Sequence, residues 1–243
     1  MNNELLQHTL AASRQLVTLD DATINRILID TASALLTRQA EVLAANVEDL
    51  SRMDPANPKY DRLKLTEERL AGIAGDMKNV ASLPSPLGKL LSETTRPNGM
   101  VIRKMTVPFG VIGVIFESRP DALVQIASLC IKSGNCIILK GGSEAKHTNR
   151  ALFDVIYDAC IKAGLPEHFA VLIEDRAEIG ELLKCHDYVD LLIPRGSNQF
   201  VQYIMENSKI PVMGHADGIC HVYVDGAASI EKAIPIIIDS KTQ

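Results

Sequence analysis

The sequence predicts an α/β protein built on an open parallel sheet of the Rossmann-like kind, preceded by a helical region and a β-hairpin. Three observations carry that class. From Gly110 onward, short apolar runs alternate with amphipathic stretches of helical length, the order that strand–helix–strand units produce. The runs GVIGVIF, CIILK, AVLI and LLI are continuous, as in strands covered on both faces. Residues before about 53 repeat apolar side chains at helical spacing instead.

The bulk composition narrows the function classes. With 243 residues the chain is long enough for one large domain or two small ones with a real core. Hydrophobic residues make up 47% and charged residues 23%, an ordinary globular balance. A net charge of −5 and no basic tract argue against nucleic acid and against a membrane surface as partners. No apolar run approaches the roughly 18–20 residues that span a bilayer. The start, MNNELLQHTL, lacks the layout of a secretory signal. Five cysteines, an odd number without CxxC, read as reduced thiols of a cytoplasmic protein, mostly filling the core.

Taken in order, residues 2 to about 53 read as helix. Ile24, Leu28, Ile29, Ala32, Leu35 and Leu36 recur on one face, which Val42, Leu43, Val47 and Leu50 continue. Asp20-Asp21 suits a helix start, and Met53 to Pro58 reads as loop because of its two prolines. Thr66 opens a further helix with Glu67 and Glu68 in its first turn, ending before Pro84-Ser85-Pro86. Nothing in this region carries obvious chemistry. Asn98-Gly99, flanked by strand-type residues, signals a hairpin. That hairpin is either an edge ribbon or a ribbon that pairs with another subunit. Strands are predicted at Val111–Phe116, Cys136–Lys140, Ala170–Ile173, Tyr188–Ile193, Val212–Met213 and Cys220–Val224. Helices are predicted at Ala122–Ser133, Glu144–Ala163, Arg176–Lys184, Ser197–Asn207 and Ser229–Thr242. The last helix reaches the final residue without a stop signal, so the chain reads as cut there.

In an open parallel sheet, ligands gather beyond the carboxyl ends of the strands. The residues there are Glu117 to Asp121, Lys140 to Glu144, Glu174 to Arg176 and Pro194 to Asn198. Glycines in LKGGSEA and PRGSNQ let a backbone approach a phosphate, and the helices they open present free N–H groups. Lys140 suits a ribose hydroxyl or a phosphate, and Glu144 a ribose hydroxyl or the helix dipole. The glycine spacing matches neither GxGxxG nor GxxxxGK[ST], so the same loops also read as tight turns with N-capping serines. His215 and His221 stand near the end of the chain. Cys220 and His221 do not make a nucleophile–base pair, because neighbours on a strand point to opposite faces. Cys220 reads as core. His8, His147, His168 and His186 show no metal-ligand spacing.

Five blocks then stand in a telling order: DRLKLTEERLAGIA, VPFGVIGVIFESRPD, SLCIKSGNCIILKGGSEA, PRGSNQF and DGICHVYVD. Together they resemble the γ-glutamyl phosphate reductases, a branch of the aldehyde dehydrogenase superfamily, over about residues 5 to 243. The resemblance implies the glutamate-5-semialdehyde dehydrogenase reaction of proline biosynthesis. There a cysteine thiolate attacks the acyl phosphate, phosphate leaves, and the thioester is reduced by hydride from NADPH. It implies that Lys140, Gly141, Gly142, Ser143 and Glu144 form the adenosine-ribose loop and that Gly196 and Ser197 form the pyrophosphate turn. It places Ser118 and Arg119 at the substrate, with the Arg119 guanidinium on the leaving phosphate or a carboxylate. Partners implied are γ-glutamyl phosphate, glutamate 5-kinase as the pathway neighbour, and a second copy of the chain through a ribbon at Pro97–Val107. The implied division is a helical part of the cofactor domain at 1–89, the ribbon at 90–107 and the NADP(H)-binding part at 108–243. The catalytic domain and its nucleophilic cysteine are then expected to be absent from the chain, which alone should be inactive. Asp121 stands where the family reads ESRPN, and KGGSEA replaces RGGKEA, which removes a basic residue at Ser143. Two other readings stay open: a non-catalytic nucleotide-binding or scaffolding module, and another aldehyde or acyl-phosphate dehydrogenase.

Overall fold

The computed structural model of the chain describes residues 3–117, 119–175, 177–214 and 220–242. Ser118, Arg176 and His215 lie outside them. The helical run predicted over 2–53 is three helices, α1 (Asn3–Leu16), α2 (Asp21–Thr37) and α3 (Gln39–Ser51). Asp20 is extended at φ −78° and ψ 163°, and its carboxylate accepts from Thr23 N at 2.8 Å, which starts α2 afresh. Arg38 closes α2 and turns the chain into α3. Ile24, Leu28, Ala32, Leu35 and Val42 are buried as their spacing predicts, but Ile29 and Val47 are exposed. The buried face of α3 is instead Val42, Asn46 and Asp49, two of them polar.

A short helix α4 (Tyr60–Leu63) precedes α5 (Glu67–Ser82). Thr66 caps α5 as expected, its Oγ1 accepting from Arg69 N at 3.1 Å. Strands β1 (Leu90–Thr95) and β2 (Val101–Met105) form the antiparallel hairpin. Its turn is Arg96–Gly99, with Gly99 N donating to Arg96 O at 2.9 Å and Gly99 left-handed at φ +82°. Pro97 therefore takes the second turn position, where its fixed φ suits the bend. Asn98-Gly99 completes the turn from its third and fourth positions. Every residue of both strands is exposed.

The main sheet holds β3 (Val111–Ile115), β4 (Cys136–Lys140), β5 (Ala170–Ile173) and β6 (Leu191–Pro194). All are parallel, in the order β5-β4-β3-β6. Val111 faces Cys136 and Ile112 faces Leu191. Two predicted strands need correction. Val212 makes only an isolated bridge to Leu192. Residues 220–224 form no strand: Cys220, Val222 and Tyr223 are exposed, and among the described residues no strand pairs with them. A β-branched run without a partner edge keeps its backbone in solvent. Cys220 is accordingly a surface residue, not a core one.

The remaining helices are α6 (Pro120–Lys132), α7 (Lys146–Ala163), α8 (Glu178–Leu182), α9 (Asn198–Asn207) and α10 (Ile230–Thr242). A 3-10 turn at Ser143–Ala145 leads into α7, where a continuous helix was predicted from Glu144. The crossovers from β3 to β4 to β5 carry α6 and α7, which pack on each other and against α2 and α5. The chain then jumps to β6, on the other side of β3, so this connection runs over the opposite face. There α1 packs on β3 and β4, and Gln7 Nε2 donates to the Tyr188 hydroxyl at 3.4 Å. Coverage from both sides is why β3 and β4 are buried at every residue. Helix α10 has no buried residue. Among the described residues, no helix is long and apolar enough to cross a membrane.

Candidate functional site

Because β6 lies beside β3 and not beyond β5, connections leave the carboxyl ends of β3 and β6 in opposite directions and open a crevice there. A cleft of about 860 Å³ occupies that place. It is lined by the loops after all four strands of the main sheet, including Glu117, Lys140–Glu144, Glu174-Asp175, and Arg195 with Ser197.

Lys140 ends β4 with its side chain buried, and its Nζ donates to Gly141 O at 2.6 Å. A Cβ on Gly141 would stand 2.2 Å from Asn149 Nδ2 and 3.1 Å from Phe116 Cζ, so a larger residue there would have to displace the Asn149 side chain. Gly142 is extended and starts the 3-10 turn carrying Ser143 and Glu144. On the other bank, Ser197 caps α9, its Oγ accepting from Phe200 N at 3.3 Å. The capping reading therefore holds at Ser197. It does not hold at Ser143, since Gly142 precedes the turn and no side chain caps it. Gly196 joins Arg195 to Ser197 without itself lining the cleft; a Cβ there would crowd Phe200 at 3.1 Å and Glu117 at 3.2 Å.

The start of α7 is capped from outside. Ala145 has no capping side chain. Asp49 of α3 does the work, accepting from His147 N at 3.2 Å, Thr148 N at 2.8 Å and Thr148 Oγ1 at 2.6 Å. Asn46 binds Thr148 Oγ1 at 3.2 Å and also holds Leu63 O and Leu65 N. The polar face of α3 thus fixes the loop on which the cleft depends.

Cations and carboxylates divide the cleft. Lys59, Lys140, Lys146 and Arg195 offer positive charge, while Glu117, Glu144, Glu174, Asp175 and Glu178 offer acceptors. Lys59 Nζ lies 3.9 Å from Glu144 Oε1. Beside Gly141, Asn149 Oδ1 is buried without a hydrogen-bond partner among the described residues. Such an orphaned acceptor next to a glycine loop fits a ligand hydroxyl. The donor set fits a phosphate–ribose ligand: cations for phosphates, carboxylates for hydroxyls.

Arg119 lies elsewhere. It is exposed, its Nη2 donates to Asp121 Oδ2 at 3.0 Å, and it borders a second hollow with Asp61 and Arg62. Lys140 and Arg119 therefore line different hollows. None of the five cysteines lines the cleft. Burial pushes the thiols of Cys130, Cys136 and Cys160 up to about 12, which leaves them protonated and unreactive. Among the described residues, no His/Cys/Asp/Glu group has the makings of a metal site.

A profile of the aldehyde dehydrogenase family matches residues 10–243. The chain belongs to the aldehyde dehydrogenase family. Within it, the chain is 53% identical to the γ-glutamyl phosphate reductase of Parabacteroides distasonis over 241 residues, covering 99% of this chain and 58% of that one. It is 51% identical to the same enzyme of Bacteroides thetaiotaomicron, over 96% of this chain and 56% of the relative. A crystal structure of γ-glutamyl phosphate reductase from Thermotoga maritima superposes with a TM-score of 0.89 at 32% identity, over 99% of this chain and 59% of that one. The chain thus spans a little over half the length of the curated relatives it matches.

For this aldehyde dehydrogenase family member, sequence reasoning missed Lys59, Lys146 and Asn149. Lys59 stands just before α4, in a region whose sequence carries no obvious chemistry. Asn149 and Lys146 sit on the helix after the glycine turn, where a polar residue one turn in, facing the strand ends, was the available signal.

Proposed function

We propose that this chain carries the NADPH-binding portion of a γ-glutamyl phosphate reductase: reduction of γ-glutamyl phosphate to glutamate 5-semialdehyde and phosphate, in the cytoplasm. The observation that supports it best is the convergence of Lys140–Glu144 with Arg195 and Ser197 on one cleft at the switch point of the sheet. In this reading Glu144 and Lys140 meet the adenosine ribose. Arg195 and the backbone at Gly196-Ser197 meet the pyrophosphate. Lys59 and Lys146 supply the positive charge that a 2′-phosphate needs and that Ser143 lacks. The bound cofactor supplies hydride. This chain's residues hold it, orient it and keep its phosphates neutralised. The nucleophilic thiol is not one of Cys130, Cys136 and Cys160, whose burial disfavours the thiolate.

Calorimetric titration tests the reading. NADPH is expected to bind more tightly than NADH. The Gly141→Ala chain is expected to bind at least tenfold more weakly, because the new carbon displaces the Asn149 amide beside the loop. Equal, unsaturable heats for both cofactors would remove the proposal.

A further inference from the structure

The hollow that holds Arg119 is outside the nucleotide cleft, and its wall is built. It measures about 390 Å³ and lies between the segment 61–65, α5 and the start of α6. Segment 61–65 is pinned from two sides. Asn46, itself buried, donates to Leu63 O at 2.9 Å and accepts from Leu65 N at 2.8 Å. Arg69 Nη1 donates to Asp61 O at 2.6 Å and Lys64 O at 2.7 Å, and its other branch meets the Asp61 carboxylate. Those bonds commit Arg69 to Asp61, just as Arg119 is committed to Asp121. What the wall leaves uncommitted, among the described residues, is mixed in sign: Arg62 and Lys64 on one side, Asp76 and the Gln125 amide on the other. Leu65 and Ile73, both buried, line the same hollow.

Free cations alone would suit any anion. A free carboxylate facing the same small space repels one, and a phosphate gains nothing from it. A group that carries an ammonium and a carboxylate on one carbon satisfies both signs at once. The hollow also lies next to the chemistry already assigned: Glu117 lines the nucleotide cleft, while Arg119 and Asp121, just beyond it in the chain, line this one.

We propose that this hollow binds the α-amino acid head of the substrate, with Arg62 and Lys64 on the α-carboxylate and Asp76 on the α-ammonium. The inference rests on the γ-glutamyl phosphate reading and adds the residues that distinguish an amino-acid substrate from a plain acyl phosphate or aldehyde.

The test is an NMR titration of the full 243-residue chain, isotopically labelled, with L-glutamate, glutarate, inorganic phosphate and, separately, NADPH. L-glutamate is expected to give saturable shifts of the amides at 61–65, 76 and 121–125. Glutarate, which lacks the ammonium, should bind at least tenfold more weakly. Asp76→Asn should weaken L-glutamate about tenfold and leave glutarate unchanged, whereas Arg62→Ala should weaken both. These side chains are exposed, so unchanged thermal unfolding of the variants is the control for folding. Glutarate or phosphate binding as tightly as L-glutamate overturns the proposal in favour of an unselective anion site. So does an Asp76→Asn chain that binds L-glutamate normally, or no saturable shift up to the solubility of glutamate. The NADPH arm reads the cleft independently. If NADPH shifts residues 140–146 while L-glutamate shifts nothing, the head-group site fails alone; if NADPH shifts nothing there, the reading beneath it fails.

Discussion

Single residues in this chain do chemistry through what surrounds them, and the cysteines show it in reverse. A thiol is a nucleophile only as thiolate, and burial in an apolar strand or helix withholds the charge. Cys130, Cys136 and Cys160 are held up to about 12 by that desolvation, against an unperturbed 9.0. At neutral pH their thiolate fraction is negligible in the folded state, and it rises only as pH climbs toward 12. Cys220 is exposed and Cys185 is half-buried. Iodoacetamide on the native chain at neutral pH should therefore alkylate Cys220 first. Cys130, Cys136 and Cys160 should become labelled only with denaturant, as peptide mass spectrometry would reveal. Rapid native labelling of Cys136 would contradict the burial argument. Much of this scale was legible in the sequence. Cys130, Cys136 and Cys160 sit in apolar runs, and they are core. Cys220 sits in an equally apolar run, CHVYV, and is exposed. Local hydrophobicity cannot say whether a neighbouring strand exists to cover it.

Elements carry what no single residue could announce. The four strands of the main sheet, their parallel sense and the threonine that starts α5 followed from periodicity and from turn chemistry, because those signals are local. For helix α3 the spacing predicts an apolar face that includes Val47. In the folded chain Asn46 and Asp49 take buried positions, and Val47 faces solvent. A sequence pattern prices Asn and Asp as surface residues. Only the approach of Leu63, Leu65 and Thr148, distant in the chain, turns them into satisfied core groups. Helix α3 thereby brackets the segment 61–65 and the start of α7 at once. Removing the Asp49 carboxylate leaves the Thr148 N–H and hydroxyl, and the His147 N–H, without their acceptor. At about 1–3 kcal/mol for a buried polar group left unmade, Asp49→Ala should cost roughly 3 kcal/mol of stability. In urea unfolding the midpoint should fall at constant slope. Asn46→Ala should cost a similar amount and, unlike Asp49→Ala, should also disturb the amides of residues 63–65. If either variant unfolds like the parent chain, the bracket is not structural.

At the scale of the whole molecule, the chain shows more apolar surface than its core requires. The hairpin β1–β2 exposes Leu90, Leu91, Met100, Val101, Ile102 and Met105. An isolated two-stranded ribbon is marginal in water. This one is held at its base by Thr106, whose Oγ1 donates to Pro86 O at 2.7 Å, and across its strands by Arg103 on Glu93 at 2.6 Å. Neither bond covers the side chains, and among the described residues no third strand pairs with either outer edge of the ribbon. Exposed edges lined with apolar residues recruit another strand or another face. Contact of the ribbon with a second copy of the chain is the expectation that this surface puts to the test. Sedimentation should then show concentration-dependent association of the parent chain. Ile102→Glu, which adds a charge to an exposed position and breaks no hydrogen bond, should shift it toward monomer while leaving thermal unfolding of the dilute protein unchanged. Helix α10 provides the internal comparison, since Ile230, Ile234, Ile236 and Ile238 are exposed as well. If association survives Ile102→Glu but is lost in Ile234→Glu, the sticky surface is α10 and the ribbon is a passive edge. If the parent chain stays monomeric at every concentration, its exposed apolar residues are too scattered to drive assembly alone.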